Sequence, residues 1–362
     1  MQTELKKTEN FLGFDRPSDI FDSMEDMVRI IDSDGRVLFK NKAMLKFEQD
    51  LAICSPEIFP IDQARDSFME GASSETEFCI ADMVFSVISS PIRYNNSKQA
   101  LIQVFRDISL KSRMTYEIYG DNKKMLEDME FAQSIQKDML PLLKEYGKLG
   151  FEYRYMPSER LSGDFFDLVP MGGGKLALYI SDVVGHGISA SILTMFVRQT
   201  MRSILRDENI SQPAKVLRSL MDKFSEISTG DRQYFTIFYA LFDSSESLMT
   251  YANAGHNSLP IVSGKKGVFE LQAKGKVISP IFKDYEYVEH KFEYSKGDKI
   301  LFYTDGAVEA RNKAGRSFGK EAIIRRMKEN SQGLLDLMAQ DMEEFRFGPQ
   351  QDDIALLMVD CK

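Results

Sequence analysis

The pattern of apolar positions divides the chain into three regions of different periodicity. Between about residues 20 and 106, short apolar runs alternate with turn residues, and Asp34-Gly35 between two such runs predicts a β-hairpin. Residues 110–141 instead carry apolar positions at helical spacing within a highly charged segment. Beyond about residue 150, short strand patterns return and helical patterns interrupt them. The 362 residues are therefore expected to form two domains joined by a helix.

The N-terminal region is predicted to be a small α/β domain. Two strands, a helical middle section and three more strands are predicted, at Met27–Ile31, Arg36–Phe39, Thr76–Ile80, Met83–Tyr94 and Gln99–Arg106. This order, followed by Phe-Arg-Asp-Ile-Ser at Phe105–Ser109, resembles a PAS sensor domain over residues 11–109. All histidines of the chain lie beyond this region, so a histidine-ligated haem is not expected and the PAS ligand stays unknown.

Residues 110–141 predict one long helix that links the two domains. Apolar residues recur every seven positions, at Ile118, Met125, Ala132 and Met139. This spacing favours a parallel two-stranded coiled coil, and hence a homodimer through the sensor and the helix. A single amphipathic helix remains an alternative, because Gly120, Asn122 and Gln136 weaken the seam. Pro141 marks the end of the helix.

The C-terminal region is predicted to be an α+β sandwich. Its predicted strands lie at Phe151–Tyr155, Phe165–Pro170, Lys175–Ile180, Gln233–Asp243, Leu248–Asn253, Leu259–Val262, Tyr287–Phe292, Lys299–Tyr303 and Ile354–Val359. Its predicted helices lie at Ile188–Arg206, Pro213–Ile227, Lys320–Lys328 and Gly333–Glu344. Gly172-Gly173-Gly174 joins two of the strands and is interpreted as a hairpin turn, not as a phosphate-binding loop. Antiparallel strands flanked by helices are typical of sheets covered by helical layers.

Composition limits the cellular compartments and the classes of partner that are expected for this protein. A net charge of −9 argues against nucleic acid or an anionic membrane as the main partner. The N-terminus lacks the apolar run of a signal peptide, and no stretch approaches the roughly 18 apolar residues of a membrane span. Cys54, Cys79 and Cys361 are widely separated, which fits a reducing compartment. A cytoplasmic protein is therefore expected.

Four aspartates carry the candidate chemistry. Three of them adjoin short apolar strand patterns, and the fourth lies in Leu-Ser-Gly-Asp-Phe-Phe-Asp; the four are Asp182, Asp305, Asp352 and Asp164. Carboxylates that meet at one edge of a sheet repel one another unless cations lie between them. A pair of hard divalent ions is the usual solution, so these aspartates are candidate metal ligands and catalytic residues.

Five ordered motifs carry a family resemblance. They are Ser-Gly-Asp, Ser-Asp-Val-Val-Gly-His-Gly, Asn-Ala-Gly-His-Asn, Thr-Asp-Gly-Ala-Val-Glu-Ala-Arg-Asn and Asp-Asp-Ile-Ala-Leu-Leu. In this order they resemble the bacterial SpoIIE/RsbU-like group of metal-dependent, PPM-type serine/threonine protein phosphatases, over about residues 120–362. The resemblance implies an α-β-β-α sandwich for residues 142–362. It also implies a phosphorylated STAS-domain protein as the substrate, in a partner-switching pathway.

The resemblance also implies a role for each aspartate. Asp182 would bridge two Mn²⁺ or Mg²⁺ ions, and the backbone carbonyl of Val183 would add a ligand to one of them. Asp305 and Asp352 would complete the other site, and Asp164 would lie close enough to bind or steer a metal.

The sequence leaves open one metal ligand, the catalytic activity and the roles of two histidines. Asp353 is a rival to Asp352, and Ala355 stands where the family usually has threonine, which could lower activity. A non-catalytic protein that binds the same kind of partner is therefore the alternative function. His186 has either a local packing or hydrogen-bond role or a substrate or proton-transfer contact. His256 has either a structural role in its turn or a role in positioning phosphate or water, whereas His290 is expected to be an ordinary strand residue.

Overall fold

The structure is a computed structural model that describes residues 18–50, 67, 71–80, 82–94, 98–185, 187–227, 233–329 and 333–362. Cys54 and His186 lie outside these residues. The chain forms two compact units, residues 1–124 and 125–362. None of the helices in the described ranges combines the length and apolarity that a membrane crossing requires.

The first unit is built around one antiparallel sheet. Its strands are β1 (Met27–Asp32), β2 (Val37–Lys40), β3 (Ser74–Ile80), β4 (Met83–Tyr94) and β5 (Lys98–Asp107), in the spatial order β2-β1-β5-β4-β3. The short helix α1 (Ser18–Asp22) precedes the sheet, and α2 (Lys42–Asp50) follows β2. Met44 and Phe47 of α2 pack with Phe85 and Phe105 of the sheet. All five strands predicted for this region are confirmed within one or two residues at their ends.

The predicted Asp34-Gly35 hairpin has a local cause. Gly35 adopts φ +82°, a conformation that disfavours residues with a Cβ. The Asp32 carboxylate accepts the backbone N–H groups of Asp34 and Arg36, at 2.9 and 2.8 Å. The predicted Gly35 thus supplies the turn conformation, and the Asp32 carboxylate, which the sequence pattern did not indicate, holds the turn between β1 and β2.

Helix α3 spans Ser109–Met139, which confirms the helix predicted over residues 110–141. Several of its apolar side chains are exposed; Met114, Ile118, Met125 and Phe131 are 53%, 62%, 49% and 69% exposed. Gln136, by contrast, is buried. The two-stranded coiled coil stays a prediction.

The second unit contains two antiparallel sheets. One sheet, named here the β8–β9 sheet, has the order β14-β11-β10-β9-β8, from the strands β8 (Asp164–Gly172), β9 (Lys175–Val183), β10 (Phe235–Asp243), β11 (Leu248–Ala254) and β14 (His290–Glu293). The other, the β15–β16 sheet, has the order β13-β12-β15-β16-β7-β6, from β6 (Glu145–Tyr146), β7 (Leu149–Met156), β12 (Ile261–Gly264), β13 (Gly267–Glu270), β15 (Lys299–Tyr303) and β16 (Ile354–Cys361).

Helices cover the outer faces of both sheets. Against the β8–β9 sheet lie α4 (Ile188–Arg206) and α5 (Pro213–Ser225), whereas α7 (Lys320–Glu329) and α8 (Leu334–Phe345) lie against the β15–β16 sheet. A short helix, α6 (Gly306–Glu309), follows β15. Between the sheets, the Phe238 and Phe302 rings meet edge to face at 5.9 Å. The unit is thus a mixed α/β sandwich with helices outside and two sheets inside.

The predicted elements of this unit are confirmed, with differences at short segments. The helix predicted at Ile188–Arg206 has those bounds, because its apolar face matches the helical period over five turns. Strand β13 and helix α6 were not predicted, since each has four residues and is too short to show a period. The strand predicted at Tyr287–Phe292 begins only at His290.

Candidate metal centre

Asp164 and Asp182 lie directly opposite each other on neighbouring strands. Asp164 is the first residue of β8, Asp182 is the second-last residue of β9, and the antiparallel register pairs the two. The turn Gly172–Gly174, with all three glycines at positive φ, joins the strands, and a one-residue register shift between Pro170 and Gly172 brings the two aspartates opposite each other. Asp164 is only 2% exposed. Two carboxylates in directly opposed positions repel each other, so this pairing is unfavourable unless a cation compensates it.

Two further carboxylates reach the same edge from the other sheet. Asp305 lies two residues after β15, and Asp352 lies two residues before β16. A Cβ at Gly306 would collide with the carbonyl oxygen of Asp353, so the two loops are in close backbone contact. The strand ends therefore bring all four predicted aspartates into one electrostatic cluster.

The pKa values record this crowding. Burial, followed by the charges of Asp305 and Asp352, raises the pKa of Asp182 to about 7. Burial, followed by the charge of Asp182, raises the pKa of Asp164 well above its usual value. The pKa of Asp352 is also raised, chiefly by burial and then by Asp305, against a hydrogen bond that lowers it. Without a cation, these three carboxyl groups therefore lose their protons only at a higher pH than usual, because their charged forms are unfavourable here.

One buried oxygen atom indicates which kind of ligand fits this centre. Asp164 Oδ2 is inaccessible and has no hydrogen-bond partner among the described residues. A buried polar atom in this state is costly unless a ligand binds it. The neighbouring donors are carboxylate and carbonyl oxygens, a set that suits Mg²⁺ or Mn²⁺ and disfavours softer ions. The residues present therefore fit a divalent ion.

The carboxylates are neighbours but do not form a finished coordination shell. Within the described part of the chain, no three His, Cys, Asp or Glu side chains already converge on one ion position. Convergence would require side-chain rotation toward an ion, which the mutual repulsion opposes without one.

The carbonyl oxygen of Val183 lies close to Gly163, the residue before Asp164. A Cβ at Gly163 would lie 2.8 Å from that oxygen and 3.1 Å from the carbonyl oxygen of Gly185. Glycine at position 163 thus lets the chain before Asp164 approach the loop that follows β9. The Val183 carbonyl is therefore near Asp164, which suits the ligand role predicted for it.

Asp352 and Asp353 have different surroundings. Both oxygens of the buried Asp353 carboxylate accept hydrogen bonds: Oδ1 from the backbone N–H and hydroxyl of Ser158, at 2.7 and 2.9 Å, and Oδ2 from the N–H of Gly163, at 2.8 Å. Asp352 is exposed as a residue, although its carboxyl group is partly removed from solvent, and it accepts only the N–H of Asp353 among these bonds. Asp353 thus holds the loop in front of Asp164, while Asp352 keeps oxygen atoms available for an ion.

This difference gives a testable contrast. We expect Asp353→Ala to lower the free energy of unfolding by about 2–4 kcal/mol, because three donors lose a charged acceptor. Asp352→Ala is expected to change stability by less than about 0.5 kcal/mol and to weaken Mn²⁺ binding instead. Chemical unfolding of the metal-free protein, followed by Mn²⁺ titration, measures both effects. A normally stable Asp353→Ala protein that fails to bind Mn²⁺ would reverse the two assignments.

The threonine hydroxyl before Asp305 also contributes to the site. Thr304 is fully buried, its side chain hydrogen-bonds to Asp164, and this bond lowers the Asp164 pKa against the effect of burial. Its Oγ1 also accepts the backbone N–H of Ala355, at 2.9 Å. Ala355 therefore does not leave this edge without a hydroxyl. This role was not predicted from the sequence, although Thr304 is the first residue of the Thr-Asp-Gly-Ala motif.

Two other residues that position the site were not predicted. Buried Gln136 on α3 donates to the carbonyl of Ser162 (3.0 Å) and to the Thr194 hydroxyl (3.2 Å), and it accepts the Ser162 N–H (3.1 Å). Asp167 is fully buried on β8 and accepts two hydrogen bonds from Arg202 of α4, at 2.7 and 3.0 Å. The signal was available in each case: a polar residue interrupting an apolar seam, and a charge within a buried strand.

His256 has a structural environment. It is 3% exposed, Nε2 lies 3.0 Å from the carbonyl oxygen of Tyr303, and Nδ1 lies 3.2 Å from the Thr236 hydroxyl. Burial lowers its pKa, against the hydrogen bond to Tyr303 and the charge of Asp305. Both ring nitrogens thus contact protein atoms, which favours the structural role in the turn over the positioning of phosphate or water. His290 stacks on Tyr251 at 5.4 Å, in a strand, as expected.

Curated relatives resemble the C-terminal part of the chain. Over 222 residues, it is 28% identical to phosphoserine phosphatase RsbU of Bacillus subtilis (strain 168), covering 61% of this chain and 65% of that relative. Over 192 residues it is 28% identical to phosphoserine phosphatase RsbP of the same organism, covering 50% of this chain and 45% of that relative. The chain therefore spans less than two thirds of the length of these relatives.

Solved structures resemble it in fold. The SiaA-PP2C domain of Pseudomonas aeruginosa aligns with a TM-score of 0.59 and 19% identity, covering 67% of this chain and 99% of that domain. The PP2C phosphatase domain of SpoIIE from Bacillus subtilis, with a fragment of its regulatory domain, aligns with a TM-score of 0.52 and 14% identity, covering 87% and 90%. These likenesses show a PP2C-type fold.

A family profile extends over much of the second unit. The profile described as stage II sporulation protein E (SpoIIE) matches residues 172–362. This segment contains Asp182, Asp305 and Asp352, and it begins after Asp164. Because the profile covers more than half of the 362 residues, the chain belongs to the SpoIIE family.

Proposed function

We propose that the protein is a metal-dependent phosphoserine/phosphothreonine protein phosphatase that acts in the cytoplasm. The observation that carries the proposal is the buried, unpartnered Asp164 Oδ2 opposite Asp182, beside two more carboxylates. Family membership and two relatives named phosphoserine phosphatases support the same reaction class.

Two Mn²⁺ or Mg²⁺ ions would be held by Asp182 as the bridge, with Asp305, Asp352, the Val183 carbonyl and Asp164 around it. Such ions supply an acidified water and neutralise charge on the phosphoryl group. The chain's own contribution is to fix the carboxylates on two sheet edges before substrate arrives. Rigid placement of this kind reduces the reorganisation that phosphoryl transfer requires.

A small cavity next to Asp352 is a suitable place for the substrate side chain. Its volume is about 120 Å³, and its wall includes Gly306, Glu309, Arg346 and Gln350. Gln350 is held by hydrogen bonds to the carbonyls of Met156 (2.6 Å) and Asp352 (2.8 Å). The cavity wall is therefore tied to the same loop that carries the candidate ligand.

The substrate we propose is a phosphorylated STAS-domain protein in a partner-switching pathway, as the family resemblance implies. With Mn²⁺, the full chain is expected to release phosphate from such a protein and from p-nitrophenyl phosphate, and EDTA should abolish both reactions. Malachite-green detection of free phosphate measures this. Binding of the phosphoprotein without any metal-dependent release would instead support the non-catalytic alternative.

We further propose the domain boundaries 11–109 for a PAS-like sensor, 110–141 for the linker helix and 142–362 for the phosphatase. Two strands, a helical segment and three strands in one antiparallel sheet support the PAS-like assignment. The buried contacts of Gln136 with Ser162 and Thr194 support control of the site by the linker. A signal that moves this helix would shift the chain just before Asp164.

The exposed seam of α3 predicts a dimer that can be disrupted. Ile118→Glu with Met125→Glu should convert a dimer into a monomer, because charges at seam positions lose the apolar burial of a coiled coil. Lys123→Glu with Lys137→Glu, on the opposite face of the helix, is the matched control and should remain dimeric. Light scattering after size-exclusion chromatography measures the mass. Equal masses for both variants would contradict the proposed seam.

A further inference from the structure

An open cleft of about 470 Å³ lies beside the metal centre in the second unit. Its walls are the turn Asn253–Asn257 and the segment Gln272–Lys276, with Leu259 and Tyr285 completing the lining. We name it the lysine cleft, because Lys274 and Lys276 lie exposed on one wall. The reaction proposed above does not use these residues.

The two walls of the lysine cleft are fixed against each other. The Asn253 side-chain amide donates to the carbonyls of His256 and Ala273, both at 3.0 Å. A Cβ at Gly275 would collide with the carbonyl oxygen of Asn253, so only glycine permits this close backbone crossing. The segment that carries the lysines is therefore held at a defined distance from the turn.

The same turn connects the lysine cleft to the metal centre. His256 lines the cleft, and its ring contacts the Tyr303 carbonyl, two residues before Asp305. The other ring nitrogen contacts Thr236, which pairs with Asp182 in the β9–β10 register. The cleft thus lies one side chain away from both strands that carry candidate ligands.

The charge of the lysine cleft differs from that of its surroundings. Neither Lys274 nor Lys276 forms an ion pair with a carboxylate of the described residues, and the Lys276 ammonium lies 5.2 Å above the Phe282 ring. The chain as a whole has a net charge of −9, and the adjoining centre is a carboxylate cluster. Two cations that pair with no carboxylate in the described part of the chain therefore form a local positive surface near a negative one.

We propose that the lysine cleft binds an acidic stretch of the protein substrate next to its phosphorylated serine or threonine. The inference rests on the proposed phosphatase function and specifies its substrate class. An anionic substrate is repelled by carboxylates until ions neutralise them, so cations beside the centre favour its approach and orientation. Asn257 and Gln272 add amide groups at the exposed rim of the cleft, where a peptide backbone can hydrogen-bond.

Peptide binding tests the lysine cleft without requiring catalysis. The probes are two fluorescein-labelled phosphoserine peptides, one with aspartate and glutamate on both sides of the phosphoserine and one with asparagine and glutamine instead. Fluorescence anisotropy in EDTA, with the full chain, excludes binding through metal ions. The wild type should bind the acidic peptide about tenfold more tightly than the neutral one, and added salt should reduce this preference.

The variant Lys274→Gln/Lys276→Gln should lose this tenfold preference. Lys265→Gln/Lys266→Gln, an exposed pair in the turn between β12 and β13, is the matched control and should keep it. Equal affinity of wild type and cleft variant for the acidic peptide would overturn the proposal. So would a wild type that binds inorganic phosphate but does not distinguish the acidic from the neutral peptide.

Turnover separates this proposal from the proposed function. With Mn²⁺, the cleft variant should lose about tenfold in kcat/KM on the acidic peptide, through KM, and retain the wild-type rate on p-nitrophenyl phosphate. Absence of turnover in the wild type would reject the phosphatase function, whereas the anisotropy result would still decide the lysine cleft.

Discussion

Replacement of Asp182 by asparagine is expected to reduce Mn²⁺-dependent phosphate release by about 10³-fold or more. Asp182 lies opposite Asp164 in one sheet, and the charges of Asp305 and Asp352, at the strand ends of the other sheet, act on it. It is therefore the aspartate that interacts with the carboxylates of both sheets. The loss corresponds to about 4 kcal/mol of transition-state stabilisation. Initial rates with p-nitrophenyl phosphate at saturating Mn²⁺ measure it and avoid effects on protein-substrate binding.

The matched control for this substitution is Asp222→Asn. Asp222 lies on α5, where its carboxylate is about half exposed and pairs with Arg218 one turn away. Surface pairs of this kind contribute little, so rate and stability should stay near the wild-type values. If Asp182→Asn retained more than about a tenth of the wild-type rate, Asp182 would not be a ligand that both ions share.

The second large effect concerns stability and pH in the absence of metal. The pKa of Asp182 in the folded protein is about 7, against 3.8 ordinarily, so the folded state holds the proton more tightly than the unfolded state. This stabilisation is complete below about pH 4 and is lost as the pH rises through about 7. Its loss is worth about 2–4 kcal/mol. Thermal unfolding in EDTA should therefore show a midpoint that falls between pH 4 and pH 7.

Two comparisons isolate this contribution. Asp182→Asn removes the titrating group, so its midpoint should fall less steeply over the same interval. Saturating Mn²⁺ at pH 8 should raise the wild-type midpoint by several degrees, because ions bind the folded state and replace the missing compensation. If the unfolding midpoints of wild type and variant fell equally with pH in EDTA, ionisation of Asp182 would not destabilise the metal-free fold, and this prediction would be wrong.

Local sequence patterns were sufficient to predict most of the helices and strands near the site. The amphipathic period of Ile188–Arg206 spans five turns, so its bounds could be read directly. The glycines at 172–174 indicated a hairpin, but the register shifts by one residue between Pro170 and Gly172, so counting outward from the Gly172–Lys175 pair would have placed Asp164 opposite Val183. The sequence therefore predicted a shared sheet edge, whereas the pairing of Asp164 with Asp182 depends on an irregularity that no local pattern shows.

Other features depend on contacts between residues far apart in the chain. Asp352 and Asp353 are adjacent and chemically identical, and only the Ser158–Gly163 loop, almost 200 residues away, distinguishes them. Ala355 suggested a missing hydroxyl, but Thr304 on the neighbouring strand accepts the Ala355 N–H. Such pairings follow from how two sheets meet, and no local period in the sequence encodes them.

The assignment of the carboxylate cluster as a metal centre is tested most directly by measuring Mn²⁺ binding to the full chain. Isothermal titration calorimetry near pH 7.5 should show saturable binding of about two ions per wild-type chain, as a two-ion site requires. Asp182→Asn should lose at least one of these ions, and binding should weaken below pH 7 as protons compete for the carboxylates. Absence of saturable binding in the wild type, or identical binding by Asp182→Asn, would contradict the assignment of this cluster as the metal centre.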